Sequence, residues 1–312
     1  MARIVAVASA ALLGACGGGE QVSRFTAQRI LAFGDESSVI NADGSKYTVN
    51  AVFAGTSTLD CQANPLWIQV VASLYTLAFP QCNPNNLGSP SGRIYAVAGA
   101  HAADLEGQIA QQDALGGYTG TDLVTILIGQ NDILDAYAEY PALTEDQLKA
   151  NLKQLGQNVA AQVNKVADAG AKVLIATVPD LGLTPFAINE KTTHGDIDRA
   201  QLLSDLTLAF NTGLRANLEN DGTKIGLVLE DERLQAIVVV PLFYSYTNIV
   251  NGVCAKPLPH CTTSTTVTDP ASISGAPANS ATWLWADSTH LSATAQADFG
   301  SLAASRATNN PF

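Results

Sequence analysis

Four runs of the chain, at residues 29–33, 123–128, 172–178 and 225–229, are almost unbroken stretches of Val, Ile, Leu and Ala, without the alternation of apolar and polar residues seen in half-exposed strands. A strand reads this way when both of its faces are covered, a condition met in parallel sheets wrapped by helices. A weaker run spans residues 93–98, and stretches at 65–77, 143–169, 196–220 and 292–304 carry apolar residues at helical spacing. Strand followed by helix followed by strand implies right-handed crossovers. The expected architecture is an α/β fold, a three-layer α/β/α sandwich around a central parallel sheet of about five strands. Asp43-Gly44 between β-formers predicts a small hairpin inserted near residues 39–59. Residues 262–280, rich in Ser, Thr, Pro and Ala, predict a surface loop. No internal repeat or shift of composition divides residues 29–312, which are expected to form a single domain.

The chain's 312 residues are ample for a core that needs no metal to exist. Charged residues make up only 14% of them against 47% hydrophobic, which excludes a disordered, solvated linker protein. A formal net charge of -12 opposes binding to a phosphate backbone, so no nucleic-acid partner is expected.

One base, Arg3, precedes an apolar run over residues 4–13, which leads into Leu13-Gly14-Ala15-Cys16. Such a run is too short to span a bilayer and suits an export signal with small residues at its cleavage point. It resembles a bacterial lipoprotein signal. That resemblance implies a signal peptide over residues 1–15, cleavage before Cys16, lipidation of its sulfur, and a tether over residues 16–28. The membrane would then be a partner through Cys16, and the mature protein, expected to be a monomer, would be periplasmic or at the outer membrane. Gly17 in place of Asp after the cysteine favours the outer membrane.

Cys61, Cys82, Cys254 and Cys261 remain after Cys16. An even count in an exported chain predicts two disulfides. Local pairing, Cys61 with Cys82 and Cys254 with Cys261, would staple two loops rich in Pro and Asn, although spacing alone leaves the cross-pairings open. Neither pair has the tight Cys-x-x-Cys spacing of a zinc site, and the chain holds only 4 histidines, so no metal and no cofactor are expected.

In open parallel sheets, ligands bind beyond the carboxyl ends of the strands. The residues found there form a set: Gly34-Asp35-Glu36-Ser37-Ser38, then Gly99-Ala100, then Gly129-Gln130-Asn131-Asp132, and before the last helical stretch Asp287-Ser288-Thr289-His290. Their order and spacing resemble the GDSL, or SGNH, hydrolases over almost the whole mature chain; Gly129 to Asp132 fits the family's Gly-x-Asn-Asp motif and Asp287 to His290 its Asp-x-x-His motif. The resemblance implies a flavodoxin-like fold and an ester hydrolase of the esterase or lipase type, acting on a small-molecule or lipid ester. His290 would be the base and Asp287 its orienter, while the amide of Gly99 and the side chain of Asn131 would be oxyanion donors. The chemistry agrees: acyl transfer needs a hydroxyl, a base near neutral pKa, a carboxylate to fix the base and donors for developing charge.

The chain departs from the family at its most diagnostic position, reading Gly-Asp-Glu-Ser where Gly-Asp-Ser-Leu is expected. Three registers are open. In the one adopted, the turn takes one extra residue and Ser37 becomes the nucleophile. In the second, Glu36 keeps the family register and faces His290, leaving no serine nucleophile. In the third, Ser38 supplies the hydroxyl. The alternative functions are correspondingly an inactive lipoprotein that binds an acylated or glycan ligand, and an acyltransferase.

Overall fold

The computed structural model describes residues 25–309 and residue 312; the expected signal peptide, Cys16 and most of the tether lie outside them. The strands are β1 (Arg29–Gly34), β2 (Ala51–Val52), β3 (Leu59–Asp60), β4 (Gly92–Ile94), β5 (Asp122–Leu127), β6 (Lys172–Ala176), β7 (Ile225–Val228), β8 (Asn248–Gly252) and β9 (Trp283–Trp285). The α-helices are α1 (Trp67–Leu74), α2 (Leu105–Ala114), α3 (Gln130–Ala138), α4 (Glu145–Asp168), α5 (Pro185–Thr193), α6 (Arg199–Asn217), α7 (Glu230–Val239) and α8 (Ala293–Asn309).

The central sheet is parallel, with five strands in the order β4-β1-β5-β6-β7. Alternate residues of each strand enter opposite cores, as the two-residue period of a strand requires. Leu31, Phe33, Val124, Ile126, Val173 and Ile175 face α2, α4 and α6. Ile30, Ala32, Leu123, Leu174 and Ala176 face α1 and α8. Each fully buried aliphatic or aromatic side chain contributes about 1.5–3 kcal/mol, so the two cores together hold the sheet in place.

The weak strand expected at 93–98 is shorter, ending at Ile94. The amides of Tyr95 and Ala96 both donate to the carbonyl of Ala32, after which the chain leaves the sheet toward Gly99. In the insertion near 39–59, Asp43-Gly44 turns between Ile40 and Lys46, which form a single antiparallel bridge, and a separate antiparallel ladder joins β2 to β3. The fully buried Lys46 ammonium donates to the carbonyls of Cys61, Ala63 and Asn64, tying the insertion to the loop before α1.

Disulfides join Cys61 to Cys82 and Cys254 to Cys261, so the local pairing holds. Such bonds mark a protein of an oxidising compartment, periplasmic or extracellular. Among the described residues, no helix is long and apolar enough to cross a membrane.

Candidate active site

The carboxyl ends of β1, β4 and β5 converge with the segment between β9 and α8. β1 ends at Gly34, whose φ of 128° lies in the left-handed region, and a Cβ there would sit 1.9 Å from the Leu127 carbonyl oxygen. Only glycine allows the chain to turn this close to β5. Gln108 on α2 clamps the same point: its Oε1 accepts from the Gly34 amide at 2.7 Å and its Nε2 donates to the Gly34 carbonyl at 2.8 Å. Sequence reasoning missed Gln108, because one buried glutamine on a helix face carries no motif.

Asp35 then caps a single 3₁₀ turn over Glu36–Ser38, its Oδ1 accepting from the Ser37 amide at 3.0 Å. This turn decides the register. It points the Glu36 side chain into the site, with Oε1 3.4 Å from His290 Nε2. Oε2 accepts from the Gly99 amide at 2.8 Å and from Asn131 Nδ2 at 3.1 Å. The expectation that Ser37 faces His290 is therefore corrected. The turn takes no extra residue, and one step along a 3₁₀ turn rotates a side chain by about 120°; Ser37 instead meets Asp35 through its backbone amide. Ser38 is buried on the opposite side, its Oγ accepting from the indole nitrogen of Trp67 at 3.1 Å.

The other expected residues are brought together. Asn131 opens α3 and is held by a second bond from its Nδ2 to the Ala100 carbonyl at 3.0 Å. Asp132 accepts from the Ala102 amide at 2.8 Å, fixing the loop that carries Gly99. Gly99 has a φ of 77° and nothing within 4 Å of where a Cβ would project, so its backbone stands open to an incoming ligand. Asp287 accepts from the amides of Thr289 and His290, at 2.9 and 2.8 Å, and both of its oxygens lie 2.9 Å from His290 Nδ1. Asp287 orients the ring and does not cap α8. Tyr47, with its ring centre 6.3 Å from that of His290, flanks the imidazole. Two shallow clefts adjoin the set: one of about 360 Å³ lined by Val97, Ala98 and Gly99, the other of about 480 Å³ lined by Pro185, Ile188, Asn251 and Asp287. His101, near Gly99, bonds to Asp135 at 2.9 Å and stands apart from Glu36.

Asp287, His290 and Glu36 form an ion triad. Burial would lower the His290 pKa, but hydrogen bonds to Asp287 and Glu36 outweigh it and raise the value to about 10. Burial would raise that of Glu36, but hydrogen bonds from His290, Gly99 and Asn131 hold it down at about 2. Burial and the neighbouring Glu36 charge push Asp35 up to about 7, and its Oδ2 is buried without a hydrogen-bond partner among the described residues. At neutral pH the imidazole is therefore a cation between two carboxylates.

The pH dependence of stability follows from these directions. The raised His290 pKa contributes fully below 6.5 and loses its contribution as pH rises through about 10. The lowered Glu36 pKa contributes above 4.5 and loses its contribution as pH falls through about 2. The triad should hold the fold best between these ordinary values. NMR titration of His290 should give a midpoint well above 6.5 that falls in Glu36→Gln; an unchanged midpoint in that variant would refute the ion pair.

Residues 30–302 match the family described as GDSL-like Lipase/Acylhydrolase. The chain belongs to this family of ester hydrolases. Among solved structures, it is similar to a lipolytic G-D-S-L protein from Veillonella parvula, with 11% identity, 90% of this chain and 96% of the other covered, and a TM-score of 0.41. A GDSL-like lipase from Parabacteroides merdae matches with 13% identity, coverage of 91% and 98%, and a TM-score of 0.42. A catalytic mutant of an acetylxylan esterase from Geobacillus stearothermophilus matches with 10% identity, coverage of 92% and 97%, and a TM-score of 0.45. A search of curated proteins finds no match.

Proposed function

We propose that this chain is a hydrolase in which Glu36 replaces the family's serine as the covalent nucleophile. In this reading His290 and Asp287 are its base and orienter, Gly99 and Asn131 its oxyanion donors, and Ser37 has no part in the chemistry. The observation that supports it is the division of one carboxylate, with Oε2 on the two donors and Oε1 at His290. A carboxylate can act as a nucleophile through a covalent ester that water then hydrolyses. The bond finally cleaved by the Asp–His pair would be an ester, as throughout the family, but one made on the enzyme itself. Lipidation at Cys16 and attachment to a membrane are part of the same proposal.

A second reading, a silent protein that binds an acylated or glycan ligand, is favoured by the occupied donors and the protonated His290. Turnover of p-nitrophenyl acetate and labelling by a fluorophosphonate separate the two. If Glu36 is the nucleophile, the wild-type protein resists the fluorophosphonate but turns over the activated ester slowly, because p-nitrophenolate leaves readily enough for Glu36 to form a mixed anhydride that water then opens. Ser37→Ala then changes this rate by less than about twofold, while Glu36→Gln lowers it at least about a hundredfold. Labelling that disappears in Ser37→Ala would restore serine chemistry. Equal inactivity of wild type and Glu36→Gln would leave the binding protein.

A further inference from the structure

Resting on the reading of Glu36 as nucleophile, we propose that the substrate is an epoxide, opened at a saturated carbon by Glu36 Oε1 and released as a vicinal diol. The choice follows from what a carboxylate oxygen can attack productively. Attack on a carboxylic ester forms an anhydride, less stable than the ester consumed, and must expel an alkoxide that is a poorer leaving group than the carboxylate itself. Attack on a saturated carbon instead forms an ordinary ester, the course taken by the nucleophilic carboxylate of retaining glycosidases.

The geometry suits that ester. When Oε1 bonds to carbon, Oε2 becomes the carbonyl oxygen, and it already accepts from the Gly99 amide at 2.8 Å and from Asn131 Nδ2 at 3.1 Å. Donors in these positions would stabilise the charge that forms on Oε2 when water adds to the Glu36 carboxyl carbon. In the resting carboxylate they do no work on an external ester, because Oε2 occupies them.

Protons balance without any further reactant. In the first step, an Oε1 lone pair forms the new carbon–oxygen bond, the strained bond of the ring breaks, and the epoxide oxygen takes the proton of His290 Nε2, which lies 3.4 Å from Oε1. Glu36 is now a neutral ester and His290 a neutral imidazole still held by Asp287. Loss of the Glu36 charge removes one of the two carboxylates that had kept the ring protonated. In the second step, His290 takes a proton from water and the resulting hydroxide adds to the ester carbon. The tetrahedral intermediate collapses, expelling the alcohol, which receives the remaining proton. The diol leaves, with Glu36 again a carboxylate and His290 again a cation. A substrate whose leaving group departs without needing a proton, such as an alkyl halide, would leave His290 protonated when water must be activated. The imidazolium favours the epoxide for this reason. Val97 and Ala98, both exposed at the cleft beside Gly99, offer a small apolar wall suited to its hydrocarbon part.

The test incubates the protein with propylene oxide and with styrene oxide in water enriched in heavy oxygen. The expected result is diol formation with heavy oxygen entering the peptide that carries Glu36 during the first turnover, and reaching the diol only in later ones. Glu36→Gln should lower diol formation at least about a hundredfold. His290→Gln, lacking both the acid of the first step and the base of the second, should lower diol formation at least about a hundredfold and, on prolonged incubation, hold an unhydrolysed mass adduct on Glu36. Diol carrying heavy oxygen from the first turnover, with none in Glu36, would overturn the proposal, as would the absence of both diol and adduct with either epoxide. If p-nitrophenyl acetate is nevertheless turned over through Glu36, only the substrate class fails; if Glu36→Gln has no effect there either, the nucleophile reading fails with it.

Discussion

Glu36→Ser is expected to gain a reactivity that the wild-type chain lacks, namely stoichiometric labelling by a fluorophosphonate, and to turn over short p-nitrophenyl esters far faster than wild type. A serine at this position sits on the turn that aims its side chain at His290, and its short arm vacates the donors that Oε2 now fills. The exchange also removes one of the two carboxylates that hold the imidazole protonated. His290 then titrates closer to neutrality and can take the hydroxyl proton as a general base. Freed donors are worth about 10²–10³ in rate each, so ester turnover should rise over wild type by at least two orders of magnitude. A folded Glu36→Ser protein with a near-neutral His290 that remains unlabelled would show that Gly99 and Asn131 do not serve as an oxyanion hole.

The largest loss of stability is expected from Trp67→Ala. Trp67 is fully buried, stacks on Phe299 of α8 with ring centres 4.7 Å apart, and donates to Ser38 Oγ beneath the turn that carries Glu36. Removing a buried indole costs about 3–5 kcal/mol, because the surrounding core only partly collapses into the space. For a chain of this size that corresponds to a fall in melting temperature of about 10 °C. Trp67→Phe keeps a ring against Phe299 but leaves the buried Ser38 hydroxyl without its donor, and should cost about 1–3 kcal/mol. Thermal or denaturant unfolding would measure both; a loss below about 1 kcal/mol in Trp67→Ala would mean that α1 and α8 repack around the void.

The sheet was legible because its strands are buried on both faces and so lack polar interruptions, and each long run fell within a residue or two of a strand. Helices α4, α6 and α8 were legible from their length. The short α3 and α7 were not: α3 begins with the polar Gln130-Asn131-Asp132, and α7 with four charged residues, so neither opens on an apolar stripe. In the site, Asp287 with His290 and Asn131 with Gly99 could be placed because each belongs to a motif at a strand end. The choice between Glu36 and Ser37 could not. It depends on the Asp35 carboxylate capping a turn of one particular pitch, and on Gln108 fixing where that turn starts, both of which are tertiary facts.

The Cys254–Cys261 bond has a consequence for when the site becomes complete. The Cys254 amide donates to the Ala286 carbonyl at 2.8 Å, and the Ala286 amide donates to the His290 carbonyl at 2.8 Å, while the Cys261 carbonyl receives the Asn50 amide at 2.9 Å. The histidine's segment is thus buttressed by a loop closed with sulfur. In a reducing compartment that loop would lose its covalent closure, so the bracing of the His290 segment is complete only where Cys254 and Cys261 are oxidised.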